Sequence, residues 1–333
     1  MITHRGAMEG SYWRGRRVLV TGGSSFIAAS LVRRLLELGA EVNLLVRQGS
    51  SLWRLAELQQ QCAVCKGDIA DRDAVLQAVS AASPGVIFHL ATARGSELPA
   101  SQYISTSINA AAYLLEGLKL QPSPPRLVVA GSSMEYAPGT GAMTERHPIA
   151  PRTLHGTVKA AAGLLYAQAA YDEAHWIKQL RIFHVYGPWE SSHRFLSTAI
   201  RLALAGEAVP LVAGESRRDW VYVDDVVEAL LLAATVRSSE HIFNVGSGLE
   251  HDNVEVLAVL EEILGRRIST LADALPVRPS DSAHRCANIA LAADTLGWSP
   301  RYQLKDGLEA TLAWMRAHAA AKSSGDESAP TVI

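Results

Sequence analysis

Long apolar runs, cysteine and charge imbalance are all scarce in this chain, and each scarcity removes a class of protein. No stretch approaches the roughly 20 apolar residues of a membrane helix, and the segment from Met1 to Arg17 has basic residues without a secretory apolar core. A soluble, cytoplasmic protein without a membrane partner is expected. Lys and Arg number 31 against 33 Asp and Glu, and nowhere do cations gather as a nucleic-acid surface requires. No nucleic-acid partner is expected. The three cysteines are Cys62, Cys65 and Cys286. The first two form a C-x-x-C, a spacing used in redox and metal sites, but no second Cys or His pair completes a zinc set. Residues 62–66 read instead as a short buried strand, and no metal is expected.

What is abundant is apolar residue with a regular rhythm. At 333 residues and 48% hydrophobic, the chain can bury a large core. A β-branched run at 17–21 stops at Gly22 and Gly23, and 26–38 then repeats apolar residues at helical spacing until Gly39. Further strands are expected at 41–46, 62–66, 85–90, 126–130 and 176–185, with helices at 71–81, 101–120 and from near His155. This alternation predicts an α/β fold, a Rossmann-type doubly wound parallel sheet spanning 14–188. After Pro188 helices dominate, near 193–205, 224–236, 254–264 and 304–320, with short strands near 209–212 and 241–245. That pattern predicts a smaller mixed α/β substrate domain over 189–320, with parts of 220–250 returning to the first domain. Residues 1–13 and 322–333 read as flexible termini.

The first turn runs Thr21, Gly22, Gly23, Ser24, Ser25, Phe26, Ile27, Ala28, between strand and helix. Small residues there let backbone amides and the helix N-terminus approach a pyrophosphate. Here the sequence resembles the extended short-chain dehydrogenase/reductase family of nucleotide-sugar epimerases and dehydratases, whose turn is T-G-x-x-G-x-x-G. Gly22 is kept, Ser25 replaces the second glycine and Ala28 the third. The resemblance implies that Gly22, Ser24, Ser25, Phe26 and Ile27 hold a nicotinamide dinucleotide, helped by Asp68 and Ile69 after the third strand and by Leu90, Ala91 and Thr92 after the fourth. NAD-binding members present an acid after the second strand. This chain has Arg47, whose planar fork suits a 2′-phosphate, so the cofactor is NADP or NAD, with NADP favoured.

The family also places a Ser or Thr after the fifth strand and a Tyr-x-x-x-Lys on the next helix. Gly131, Ser132, Ser133 match the first, and His155, Gly156, Thr157, Val158, Lys159 the second, with His155 in the tyrosine position. Ser132, His155 and Lys159 are therefore the catalytic candidates, and Lys159 also a cofactor contact. Neutral imidazole accepts a proton more readily than it donates one, which suits alcohol oxidation. His155 is read as a replacement acid/base; the alternative is a residue filling a site whose redox chemistry has been lost or altered. Tyr136 matches a scaffold tyrosine. Dehydratases carry Asp-Glu after the catalytic Ser, and decarboxylases a Glu; Ser133 and Met134 stand here, which disfavours both reactions.

Beyond the sheet, Arg218 before Asp219 and Trp220, and Arg278 before Pro279, resemble the arginines that contact a nucleoside diphosphate in relatives. His184 replaces a phosphate-contacting Asn. Ser133, His184, Arg218 and Arg278 are the substrate candidates. The resemblance, over residues 15–320, implies an NAD(P)-dependent epimerase or ketoreductase on a nucleotide-activated sugar, at C4, with a homodimer expected. The alternative is a cofactor- and nucleotide-sugar-binding homologue with little redox activity.

Overall fold

The computed structural model describes residues 11–93, 98–172, 175–212, 216–276 and 284–323. Strands β1 (Arg17–Thr21), β2 (Glu41–Val46), β3 (Ala63–Lys66), β4 (Val86–His89) and β5 (Arg126–Ser132) alternate with helices α1 (Phe26–Glu37), α2 (Arg72–Ala82), α3 (Ala100–Ile104) and α4 (Ala110–Lys119). β6 (Ala142–Met143) is two residues long, and α5 (Leu154–Asp172) leads into β7 (Ile177–Ile182). There follow β8 (His184–Tyr186), α6 (Phe195–Ala205), β9 (Val209–Val212), β10 (Arg218–Tyr222), α7 (Val223–Thr235) and β11 (Ile242–Val245). The chain closes with β12 (Glu250–His251), α8 (Asn253–Leu264), β13 (Thr270–Leu275), β14 (Cys286–Ala287), α9 (Ala290–Leu296) and α10 (Leu304–Ser323).

Among the described residues, seven strands form one parallel sheet in the order β11-β7-β5-β4-β1-β2-β3. Side chains alternate across it, so Val18, Val20, Phe88 and Val128 face one apolar cluster and Leu19, Ile87, Leu127 and Val129 the other. The first cluster is closed by α1 and α7, the second by α2, α4 and α5. This is the doubly wound arrangement that the alternating pattern predicts. Strand order reverses between β1 and β4, and the crevice at such a switch point is where α/β sheets take ligands.

Four expectations change. Residues 176–185, read as one strand, divide at Phe183: β7 lies in the main sheet, whereas β8 pairs with β10. Residues 101–120 hold α3, a π-helical segment Ser105–Asn109, and α4. Trp13, assigned to a flexible terminus, is fully buried against Phe88, with ring centroids 6.0 Å apart. A single large side chain anchors the approach to β1, and polar neighbours hide that from a composition-based reading. The β3 strand is half-buried rather than buried, because it is a sheet edge; Cys62 and Cys65 are free, and burial pushes the Cys62 thiol up to about 11.

Candidate active site at the sheet switch point

The turn after β1 is shaped by one glycine. Gly22 has φ +70°, and a Cβ there would lie 2.7 Å from the backbone N and Cα of Ala91. Its N–H donates to Leu45 O at 3.1 Å, and the Leu90 N–H to Thr21 O at 3.2 Å, so β1, β2 and β4 fix the turn together. Helix α1 then starts with Ser25 at its N-cap, whose side chain makes no capping bond, and with no acid in the first turn. Bare amides, a helix N-terminus and a glycine cradle fit a pyrophosphate in shape and charge. Ser24 and Ser25 are partly exposed beside this turn, whereas Phe26 and Ile27 point into the core.

Around the crevice, Leu90 is buried and Ala91 and Thr92 partly so. Asp68 is exposed, accepts from Ala70 N at 2.9 Å and precedes buried Ile69. Arg47 follows β2 and is exposed to solvent. Sequence reading missed Arg54, which donates to Ser24 O at 3.3 Å and Trp189 O at 2.8 Å and lies over the Trp53 ring at 4.2 Å. No short motif marks it, because its partners are two backbone carbonyls far away in sequence.

Deeper in the crevice, Lys159 is 8% exposed and donates from Nζ to Ala130 O at 2.7 Å. His89 lies near it, with Nδ1 2.7 Å from Thr21 Oγ1; burial, and secondarily the Lys159 charge, hold its pKa down to about 3. His89 is thus neutral at any working pH. Ser132 ends β5 and caps the turn Ser133–Glu135: its Oγ accepts from Met134 N at 3.1 Å, leaving its O–H to donate elsewhere. The start of α5 docks on that turn because residue 156 is glycine, where a Cβ would collide with the Met134 carbonyl oxygen. His155, partly exposed, precedes Gly156 at this contact and lies one turn before Lys159.

The neighbouring carboxylate is structural. Glu135 is fully buried, accepts from Ser132 N at 2.8 Å and Gln179 at 3.0 Å, and pairs with Arg181 at 2.8 Å. Tyr136 is 1% exposed and donates to Asn244 Oδ1 at 2.7 Å, with burial raising its pKa to about 12. It is scaffold, as its motif position implies. Ser133 is buried at 5%.

A cationic group lies on the far side. His184 Nε2 is 3.2 Å from Arg194 Nη2, and since a guanidinium only donates, that nitrogen accepts and the ring is neutral. Burial, then Arg194 and Arg218, hold the His184 pKa well below the usual range. Arg218 opens β10, next to buried Asp219, whose carboxylate receives Ser247, Gly248 and Ala287 N–H groups. Arg285, which sequence reading missed, donates to the Ser133 carbonyl and feels the charge of Arg218. Arg278 lies outside the described residues.

The profile of the NAD dependent epimerase/dehydratase family matches residues 18–246. The protein "Low-salt glycan biosynthesis protein Agl12" of Haloferax volcanii is 30% identical over 310 residues, covering 89% of this chain and 97% of its own. A dTDP-glucose 4,6-dehydratase of Actinoplanes sp. is 26% identical over 321 residues, 91% of this chain and 98% of its own. Among solved structures, MoeE5 in complex with UDP-glucuronic acid and NAD superposes with a TM-score of 0.78 at 29% identity, over 90% of this chain and 99% of that one. This chain belongs to the NAD dependent epimerase/dehydratase family, of extended short-chain dehydrogenase/reductase type, and is an enzyme of that family. Among the described residues no helix is long and apolar enough to cross a membrane.

Proposed function

We propose that this enzyme is a nicotinamide-dependent epimerase or ketoreductase that acts at C4 of a nucleotide-activated sugar, with His155 in the place of the usual tyrosine. The supporting observation is the convergence of Ser132, Lys159 and the start of α5 in a crevice whose turn fits a pyrophosphate. Complexes of relatives with UDP-sugars and NAD support the same reading. When bound, the nicotinamide supplies hydride exchange with the sugar carbon. Ser132 donates its O–H to the reacting oxygen. His155 takes the hydroxyl proton, while the Lys159 ammonium holds the ribose and disfavours imidazolium.

Gly22, Ser24, Ser25, Phe26 and Ile27 line the pyrophosphate, Asp68 and Ile69 the adenine, and Leu90, Ala91 and Thr92 the inner crevice. Solvent-exposed Arg47 supports a preference for NADP over NAD. Ser133, His184, Arg218 and Arg278 are assigned to the nucleotide sugar, in a substrate domain built mainly from 189–320. The turn Ser133–Glu135 offers no free carboxylate, since Glu135 is committed to Arg181, Gln179 and Ser132 N, and this argues against dehydration. Free thiols support a cytoplasmic location. Leu164 and Tyr171, 66% and 86% exposed on α5, support a homodimer through that helix.

His155→Ala is expected to lower kcat/KM about 100-fold or more on a turned-over nucleotide sugar, and His155→Tyr to retain activity. Loss of kcat/KM on the acid side that disappears in His155→Tyr would mark His155 as the proton acceptor. Unchanged turnover in both variants would remove His155 from the chemistry. Tight binding of cofactor and sugar without any absorbance change at the reduced nicotinamide band would favour a non-redox homologue.

A further inference from the structure

Four arginines line one cavity at the edge of the sheet opposite the crevice. Arg14, Arg16, Arg17 and Arg126 bound a space of about 660 Å³ between the approach to β1, the end of α2 and the segment leading into β5. Strands β1, β4 and β5 present their N-terminal ends here, whereas the turns assigned to the cofactor follow C-terminal strand ends. Among the described residues no Asp or Glu lines the cavity, and no carboxylate forms an ion pair with any of the four. Neutral groups hold the cations instead. Arg16 donates from Nε to Tyr12 O at 2.9 Å, and its guanidinium lies 3.9 Å from the Tyr12 ring centroid. The Arg126 guanidinium lies 5.3 Å from that same ring and 3.9 Å from the Trp176 ring, and donates to Ala234 O at 2.6 Å. Arg17 Nη2 is 3.4 Å from Ser83 Oγ, and Arg14 is exposed. A guanidinium has five N–H donors, so each keeps several for a ligand.

A second observation points into the same space. The Tyr12 hydroxyl, on a residue lining the cavity, is buried and has no hydrogen-bond partner among the described residues. That is a costly state, which an oxygen entering the cavity would relieve. A concave wall of one charge focuses its field and concentrates counter-ions of several charges. Guanidinium forks match phosphate oxygens in two-point geometry. The rings offer no stacking platform for a base, because Arg16 and Arg126 already cover Tyr12, and Arg126 covers Trp176. We propose that this cavity binds a small polyphosphate through its phosphate oxygens alone, whether the chain is free or carried on a nucleoside. The site is separate from the crevice and does not depend on the nucleotide-sugar reading.

The test is calorimetry with tripolyphosphate, ATP and inorganic phosphate on the full-length enzyme, on the double variant Arg14→Gln, Arg17→Gln, and on Arg218→Met. Tripolyphosphate is expected to bind the wild type, ATP to match it within about threefold, and inorganic phosphate to bind at least about tenfold more weakly. The double variant should lose about 30-fold or more in tripolyphosphate affinity. Its Tm should stay within about 2 °C of wild type, because both side chains lie on exposed residues. Arg218→Met, on the crevice side, should bind tripolyphosphate within about threefold of wild type. No heat with tripolyphosphate overturns the proposal. So does an affinity that the double variant keeps, or that Arg218→Met loses instead, which would place the anion in the crevice. Inorganic phosphate binding as tightly as tripolyphosphate would leave an adventitious ion only, and ATP binding far more tightly would contradict recognition through phosphates alone.

Discussion

Gly22→Val should leave the enzyme unable to bind a nicotinamide dinucleotide. Two costs add at that residue. The backbone stands at φ +70°, where an L side chain is strained by about 1–2 kcal/mol and a β-branched one by more. Its Cβ would also stand 2.7 Å from the backbone of Ala91 and 3.0 Å from the Leu90 carbonyl carbon, and neither can swing aside as a side chain would. The Leu90 N–H is tied to Thr21 O, and Thr21 Oγ1 to His89, so relief must open the β1–β4 edge that forms the crevice. Cofactor Kd is expected to rise about 100-fold or beyond detection, measured by calorimetry or reduced-nicotinamide fluorescence. Gly206→Ala separates strain from clash: Gly206 has φ +74° with nothing within 4 Å of its would-be Cβ, and that variant should bind normally. A Gly22→Val protein that keeps its fold and binds within threefold would mean the turn does not carry the pyrophosphate.

The difference between these two glycines also shows how far a sequence can be read. Thr21 to Ala28 declares a strand, a tight turn and a helix, because each residue there obeys a local rule. Hence the parallel sheet, the position of Gly22 and the one-turn spacing of His155 and Lys159 were legible. The clash of Gly22 with Ala91 was not, since it depends on β4 lying beside β1. The same holds for Arg285 and Arg54, whose partners are carbonyls brought from distant segments. The break at Phe183 was hidden too. Residues on both sides of it suit strands, and only the separate pairing of β8 with β10 distinguishes them. Trp13 was misread because no strand or helix pattern precedes it, and burial there is decided by one ring against Phe88.

Lys159→Met should cost about 1000-fold in kcat/KM with little loss of stability. The ammonium is 8% exposed and anchored on Ala130 O at 2.7 Å, so replacing it by an apolar chain of similar length exchanges one buried charge for apolar contact, often a near-neutral change. Catalysis has no such substitute. In the proposed reaction, losing the charge removes the group assigned to hold the ribose hydroxyls and to oppose a proton resting on His155. Cofactor Kd is expected to rise about tenfold, less than for Gly22→Val, because the pyrophosphate turn remains intact. The decisive comparison is the double variant Lys159→Met, His155→Ala. If the two side chains act as one proton-handling unit, it loses little more than Lys159→Met alone, since the second substitution disables machinery already stopped. Losses that multiply would mean that Lys159 serves the cofactor and His155 the sugar independently. A Lys159→Met enzyme within tenfold of wild type would mean that Lys159 does not act at the reacting carbon.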